Sequence, residues 1–264
     1  MDDNATPQSA ATPARNNFAI PAAIIVGFAL IAVAIYFTGG KSPTQILNGA
    51  ANQEDLTPEQ PVASGPIRPV DENDHIRGNP NAPIVIVEYS DYECPFCKNF
   101  HETMQQVMEN YGAAGQVAWV YRQFPIEQLH PSAPRIALAS ECVAELAGND
   151  GFWKFSDLIF GERGTNEPTN MTKLSDYAVQ AGANKAEFDS CLESARTKTA
   201  VEEDKKDAAN IGAKGTPHSV VIIGEQQGVI NGAQPYAVVS QIIETLLAQA
   251  KGEEPADEAE PVDE

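Results

Sequence analysis

Apolar positions along this chain change their period several times, and each change marks an element. Ile84-Val85-Ile86-Val87 is an unbroken apolar, β-branched run and reads as a fully buried strand. From Asn99 to Tyr111 there is neither Gly nor Pro, and Glu102, Met104, Gln105 and Met108 favour a helix. Val117 to Phe124 is β-branched and aromatic, which predicts a second strand, and Pro125 ends it. Between Pro131 and about Ala213 the spacing turns helical. Ile136, Ala139 and Val143 share one stripe, and Leu138 and Cys142 another. Phe152 to Phe160 predicts a second, aromatic helix, and Asn184 followed by Glu187 resembles a capping box ahead of Phe188, Cys191 and Leu192. Strands return at Ser219 to Ile223 and around Val229 and Ile230, with Gly224 and Gly228 as turn glycines. Tyr236, Val239, Ile243 and Leu246 mark a closing amphipathic helix.

The two ends of the chain carry a different pattern. Residues 18–37 are 20 uncharged residues from Phe18 to Phe37, enough for one N-terminal transmembrane helix. A cleaved signal peptide is the competing reading. Its apolar core is normally only about 7 to 15 residues, so the length favours an uncleaved anchor. Arg15 and Lys41 flank the uncharged run on either side and do not orient it. Cysteine usage does: all four cysteines follow the segment, and lasting disulfides belong to oxidising compartments. The expected protein is therefore single-pass in the cell membrane, with its folded part extracytoplasmic.

The domain organisation follows. Residues 1–17 form a cytoplasmic tail, 18–37 the anchor and 38–74 a flexible linker broken by Pro43, Pro58, Pro61, Pro66 and Pro69. Residues 75–250 form the folded domain, with a helical insertion at about 126–213. Residues 251–264 are an acidic tail, in which Gly252 to Glu264 holds seven of the 37 acids. A formal net charge of -20 argues against nucleic-acid binding, which needs a basic face.

The chemistry is concentrated at Cys94-Pro95-Phe96-Cys97, between the first strand and the first helix. A Cys-x-x-Cys there puts the first sulfur at a helix N-terminus, where unpaired N–H groups and the helix dipole favour a thiolate. The second sulfur lies one turn on, within disulfide reach. Zinc is the rival reading, since His101 follows four residues after Cys97. It needs a further ligand pair, and Cys142, Cys191, His75, His130 and His218 are each isolated in sequence. The element order β, α, β, helical block, β, β, α predicts an α/β, thioredoxin-like fold with a helical insertion. Thr216-Pro217 precedes its third predicted strand, where an X-Pro bond is allowed and can be cis.

Four separated stretches, in order, resemble the DsbA-like thiol:disulfide oxidoreductase family of the thioredoxin superfamily. They are Gly78-Asn79-Pro80-Asn81-Ala82-Pro83, Val87-Glu88-Tyr89-Ser90-Asp91-Tyr92-Glu93 running into the Cys-x-x-Cys, Gly215-Thr216-Pro217, and Gly232-Ala233-Gln234-Pro235. The resemblance spans roughly residues 75 to 248. It implies that Cys94 is the exposed nucleophile, Cys97 its resolving partner, and Glu88 a buried acid that relays the proton when Cys97 is released. Thr216 and Pro217 would form the cis-Pro loop that pairs with a substrate's extended backbone, with Phe96 beside it. The implied substrates are exported proteins with reduced cysteines. The implied reoxidant is a quinone-linked membrane partner of the DsbB or VKOR type, and no separate cofactor is needed.

The strong oxidants of this family carry His between the cysteines, whereas this chain has Pro95-Phe96. Phe96 cannot stabilise a thiolate by charge, which implies a higher thiol pKa and a less oxidising disulfide. The same site run in reverse, as a reductase or isomerase, therefore stays open, as does a non-enzymatic peptide- or zinc-binding module. Of the remaining cysteines, the local pair 94–97 leaves Cys142 and Cys191 for a second, structural disulfide, set against two buried free thiols.

Overall fold

Side-chain alternation along the central strands decides what lies on each side of the sheet. A computed structural model describes residues 65–251 of the chain. It contains β1 (His75–Gly78), β2 (Ile84–Ser90), α1 (Pro95–Val107), β3 (Val117–Gln123), α2 (Ala133–Glu162), α3 (Leu174–Gln180), α4 (Lys185–Ser194), α5 (Lys198–Asn210), β4 (His218–Ile223), β5 (Gln226–Asn231) and α6 (Tyr236–Lys251). The strands form one sheet in the order β1-β3-β2-β4-β5. The β2–β3 pair is parallel and the other three are antiparallel.

Ile84 and Ile86 of β2, with Val117, Trp119 and Tyr121 of β3, join the larger apolar core. Phe100 and Met104 of α1, Ile136 and Phe152 of α2, Phe188 of α4 and Val239 of α6 belong to the same core. Val87, Tyr89 and Val120 point the other way, onto Ala208 of α5, Ile211 and Ile67. The sheet is thus covered on both faces. A block of helices between β3 and β4 forms the insertion that the element order predicts.

Several expectations need correction. The linker does not run to residue 74: Ile67 is buried, and Arg68 bonds Asp204 at 2.8 Å and Asp74 at 3.1 Å. Arg122 of β3, wholly buried, pairs with Asp74 at 2.9 Å and Asp207 at 2.7 Å and donates to the main chain of Arg68. These partners lie far apart in sequence, so composition alone reads the segment as linker. Strand β1 was unpredicted because only Ile76 in it is apolar. His75 stacks on Phe152 at 3.6 Å, and Arg77 lies over the Trp153 ring and bonds Asp157 at 2.8 Å.

Gly228 sits inside β5 and not in its turn, which is made at Gly224 (φ 56°). The two helices expected after Pro131 are present as the two arms of Ala133–Glu162, which meet at a kink at Gly148 (φ 69°, ψ -172°), a positive-φ conformation that suits glycine. Asn184 caps α4 as expected, its side chain accepting from the N–H groups of Ala186 and Glu187. Cys142 and Cys191, both fully buried, are disulfide-bonded and join α2 to α4. The expected tail 1–17, the anchor 18–37, the linker up to residue 64 and the acidic residues 252–264 lie outside the described residues. Among the described residues no helix is long and apolar enough to cross a membrane.

Candidate active site

β2 delivers the site. It ends at Ser90, and the turn Asp91-Tyr92-Glu93 is closed by the Cys94 N–H donating to the Asp91 carbonyl at 3.1 Å. The Asp91 carboxylate accepts from the Glu93 N–H at 2.8 Å, which fixes the chain's entry into α1. Cys94 is the N-cap in extended conformation (φ -70°, ψ 126°), and Pro95 occupies the first helical position, where its missing N–H has no intrahelical use. Cys97 follows one turn later, fully buried.

The two thiols differ sharply. The Cys94 thiol falls to about 6: a hydrogen bond from Cys97 lowers it most, burial opposes this, and Thr216 and the N–H groups of Cys97 and Phe96 lower it further. Burial pushes the Cys97 thiol up, and the charges of Cys94 and Glu88 push it the same way. In the reduced protein the negative charge therefore rests on Cys94 and the proton on Cys97. The helix N-terminus and Cys97 lower Cys94 without an imidazole between the cysteines, the role that Phe96 cannot fill. Phe96 itself is 62% exposed.

One expectation fails here. Cys94 was expected to be exposed, yet only 4% of it is accessible. Its Sγ lies against the Thr216 carbonyl at 3.4 Å, so the loop before β4 screens it. Sheet register explains the meeting. β4 runs antiparallel to β2 with His218 opposite Tyr89, so the residues before His218 lie beside those that follow β2. The Thr216–Pro217 bond is cis.

Glu88 shares the face of Ile84 and Ile86, toward the core that holds Cys94 and Cys97. It is 1% exposed; Oε2 accepts from the Trp119 indole N–H at 2.9 Å, and Oε1 has no partner among the described residues. Burial raises its carboxyl to about 7, against the pull of Ser90 and Trp119 and with a push from Cys94. It is thus a carboxylic acid that exchanges its proton near neutrality, close enough to Cys97 for its charge to push that thiol up.

Sequence reasoning missed three members of this neighbourhood. Asp91 donates its N–H toward Cys97 Sγ at 3.5 Å and holds His130 and the Ile126 N–H through its carboxylate, each at 2.8 Å. Trp119 orients Glu88. Arg163, which follows α2, donates to the Cys94 carbonyl at 2.7 Å. Asp91 lies in the stretch that leads into the Cys-x-x-Cys, where its sequence gives it no role of its own, and Trp119 and Arg163 carry no local motif. His101, weighed as a zinc ligand, is buried and bonds Asp157 at 2.7 Å. Among the described residues no three His, Cys, Asp or Glu side chains cluster as a metal site.

Known proteins share this architecture. A thioredoxin family model matches residues 70–245. The crystal structure of oxidised BdbD from Bacillus subtilis superposes with a TM-score of 0.60 at 23% identity, covering 70% of this chain and 98% of that one. That of alpha-DsbA1 from Wolbachia pipientis gives 0.60 at 20%, covering 69% and 95%. At such identities the likeness concerns the fold, which is of the DsbA type. A Na(+)/H(+) antiporter, NhaA 1 of Mycolicibacterium gilvum, is 36% identical over 165 residues, 61% of this chain. The match spans only 25% of the antiporter's length, and ion exchange is named for that whole protein.

Proposed function

The chain belongs to the thioredoxin family, and from that premise we propose that it is an extracytoplasmic thiol:disulfide oxidoreductase that forms disulfides in exported proteins. The observation that carries this reading is the asymmetry of the pair, with Cys94 lowered to about 6 on a helix N-terminus and Cys97 raised and buried. Such a pair is stabilised when reduced, which makes its disulfide an acceptor of electrons.

A substrate thiolate attacks Cys94 Sγ, the Cys94–Cys97 bond breaks, and Cys97 leaves. A second substrate thiolate then attacks the substrate sulfur of the mixed disulfide, forming the substrate's disulfide and releasing the Cys94 thiolate. Two electrons pass from substrate to enzyme. One substrate proton ends on Cys97 and the other in solvent. Glu88 is the group that hands Cys97 its proton. Thr216 and Pro217 offer backbone to an extended substrate chain, and exposed Phe96 adds apolar contact.

Residues 18–37 anchor the chain in the cell membrane, and a partner of the DsbB or VKOR type reoxidises it, by analogy with the family. The Cys142–Cys191 disulfide supports an oxidising compartment.

Direction is tested by equilibrating the full-length chain with glutathione. Its Cys94 thiol lies between those of thioredoxin and DsbA, so the expected potential lies between about -270 and -120 mV. A value at or below about -270 mV would favour the reductase reading of the same site.

The proton role of Glu88 is read in a pH profile. Corrected for the substrate's own ionisation, the wild-type rate of mixed-disulfide formation should fall as pH rises through about 7, where Glu88 loses its proton. Glu88→Gln should be slower by about tenfold or more below that pH, and flat across it. A linked effect has a definite sign. The fold retains this proton up to about 7 while the unfolded chain releases it near 4.5. Its contribution to stability is complete below 4.5 and is lost as pH rises through about 7, and the variant should lack that loss. An unchanged rate profile in a folded Gln variant would leave Glu88 with a structural role only.

A further inference from the structure

Arg163 caps the C-terminal end of α2 in extended conformation (φ -88°, ψ 147°). Its Nη2 donates to the Cys94 carbonyl at 2.7 Å. Its Nη1 donates to the carbonyls of Thr165 at 3.4 Å and Glu167 at 3.2 Å. The residue is 7% exposed, and Nε has no partner among the described residues. Every partner it has is a neutral carbonyl. Among the described residues no carboxylate comes within ion-pair distance of it, unlike Arg122, which has two.

A buried guanidinium without a counter-ion is costly, and burial accordingly lowers its pKa. The charges that favour its protonated form are those of Glu93, Cys94, Cys97 and Asp91. Glu93 is engaged by the Thr169 N–H at 2.9 Å. Asp91 is engaged by the N–H groups of Glu93 and Ile126 and by His130. The anion that appears and disappears with redox state is the Cys94 thiolate. Its other charged neighbours do not replace the guanidinium. Glu88 from β2 and Asp91 and Glu93 from the turn are acids, and Cys97 keeps its proton. Lys98 of α1 reaches the Phe160 carbonyl and Glu102.

Building on the oxidoreductase reading, we propose that Arg163 is a positioning residue that holds the Cys94 main chain and supplies the cation favouring its thiolate, in place of a charged side chain between the cysteines. Reduction by two substrate thiols breaks the Cys94–Cys97 bond and completes a substrate disulfide. It leaves a thiolate on Cys94 and a proton on Cys97, and releases one proton to solvent. Only this reduced state carries the anion, so the cation stabilises the reduced state and makes the disulfide more oxidising.

The test uses the full-length chain and follows the rate of Cys94 alkylation by iodoacetamide against pH, read on the Cys94 peptide by mass. Arg163→Gln keeps amide donors but no charge and should raise the midpoint by about one unit or more. The enzyme–glutathione equilibrium should move toward the oxidised form, by up to about tenfold per unit at a pH well above both midpoints. Arg163→Lys keeps the charge and should restore most of the wild-type midpoint. A folded Gln variant with an unchanged midpoint overturns the proposal, as does a Lys variant shifted as far as Gln. If Arg163→Gln does not fold, the Arg163 Nε–H resonance of the wild type decides. It should titrate with the Cys94 midpoint, and a resonance indifferent to Cys94 ionisation overturns the proposal. Alkylation reads the thiol and not turnover. A chain that shows these shifts yet oxidises no substrate would sink the proposed function and leave the role of Arg163 standing.

Discussion

Cys94→Ser should abolish thiol oxidation by this chain, a fall of about a thousandfold or more, as expected when a nucleophile is removed from a coupled pair. The reason lies in where charge can rest. Among the described residues Cys94 and Cys97 are the free thiols, and burial keeps Cys97 protonated and enclosed. Serine at the helix N-terminus would receive the same N–H groups but has neither a thiolate nor a disulfide to offer. The converse variant discriminates further. Cys97→Ser keeps the Cys94 thiolate but removes the resolving sulfur, so disulfides of Cys94 with substrate should accumulate and survive non-reducing separation. Measurable turnover by a folded Cys94→Ser variant would mean that another residue does the chemistry.

The second large effect is on stability. Replacing both Cys142 and Cys191 by Ala should cost about 2 to 5 kcal/mol, measured by denaturant unfolding of the full-length chain. The bridge spans a sequence separation of 49, and closing a loop of that size contributes roughly 4 kcal/mol in the chain-entropy model. Alanine is the better replacement, since both sites are fully buried and a serine hydroxyl would enter an apolar core beside Phe152 and Phe188. Thiol oxidation should persist wherever the variant stays folded, because the bridge ties α2 to α4 and the reactive pair is carried by α1. Loss of activity in a folded double variant would instead place the pair in electron transfer.

Much of this site could be read along the chain because its parts are local. Cys94 and Cys97 lie three residues apart at a strand-to-helix junction. The alternation of Ile84, Ile86 and Glu88 is enough to turn the acid toward the same core. Asn184 and its cap obey a similarly short rule. What escaped depends on contacts across the sheet or between distant helices. β1 is held by His75 on Phe152 and Arg77 on Trp153, pairings some 75 residues apart that no periodicity reports. The same holds for residues 66–74, whose prolines look like linker until Arg122, Asp204 and Asp207 gather around Arg68 and Asp74. Arg163 looks like any surface arginine after a helix. Its place under Cys94 follows from how α2 ends against α1. The accessibility of Cys94 was misjudged for a related reason: the screen comes from Thr216, brought across by the pairing of β4 with β2.

One measurement addresses the central claim most directly. The full-length chain, oxidised at Cys94–Cys97, is mixed with a reduced, unfolded protein in the absence of any other oxidant, and the free thiols of both are mapped by mass. The substrate should gain one disulfide per chain while Cys94 and Cys97 become free thiols and Cys142–Cys191 stays bridged. Substrate thiols left intact beside an unreduced Cys94–Cys97 pair would contradict the assignment of this site to disulfide formation.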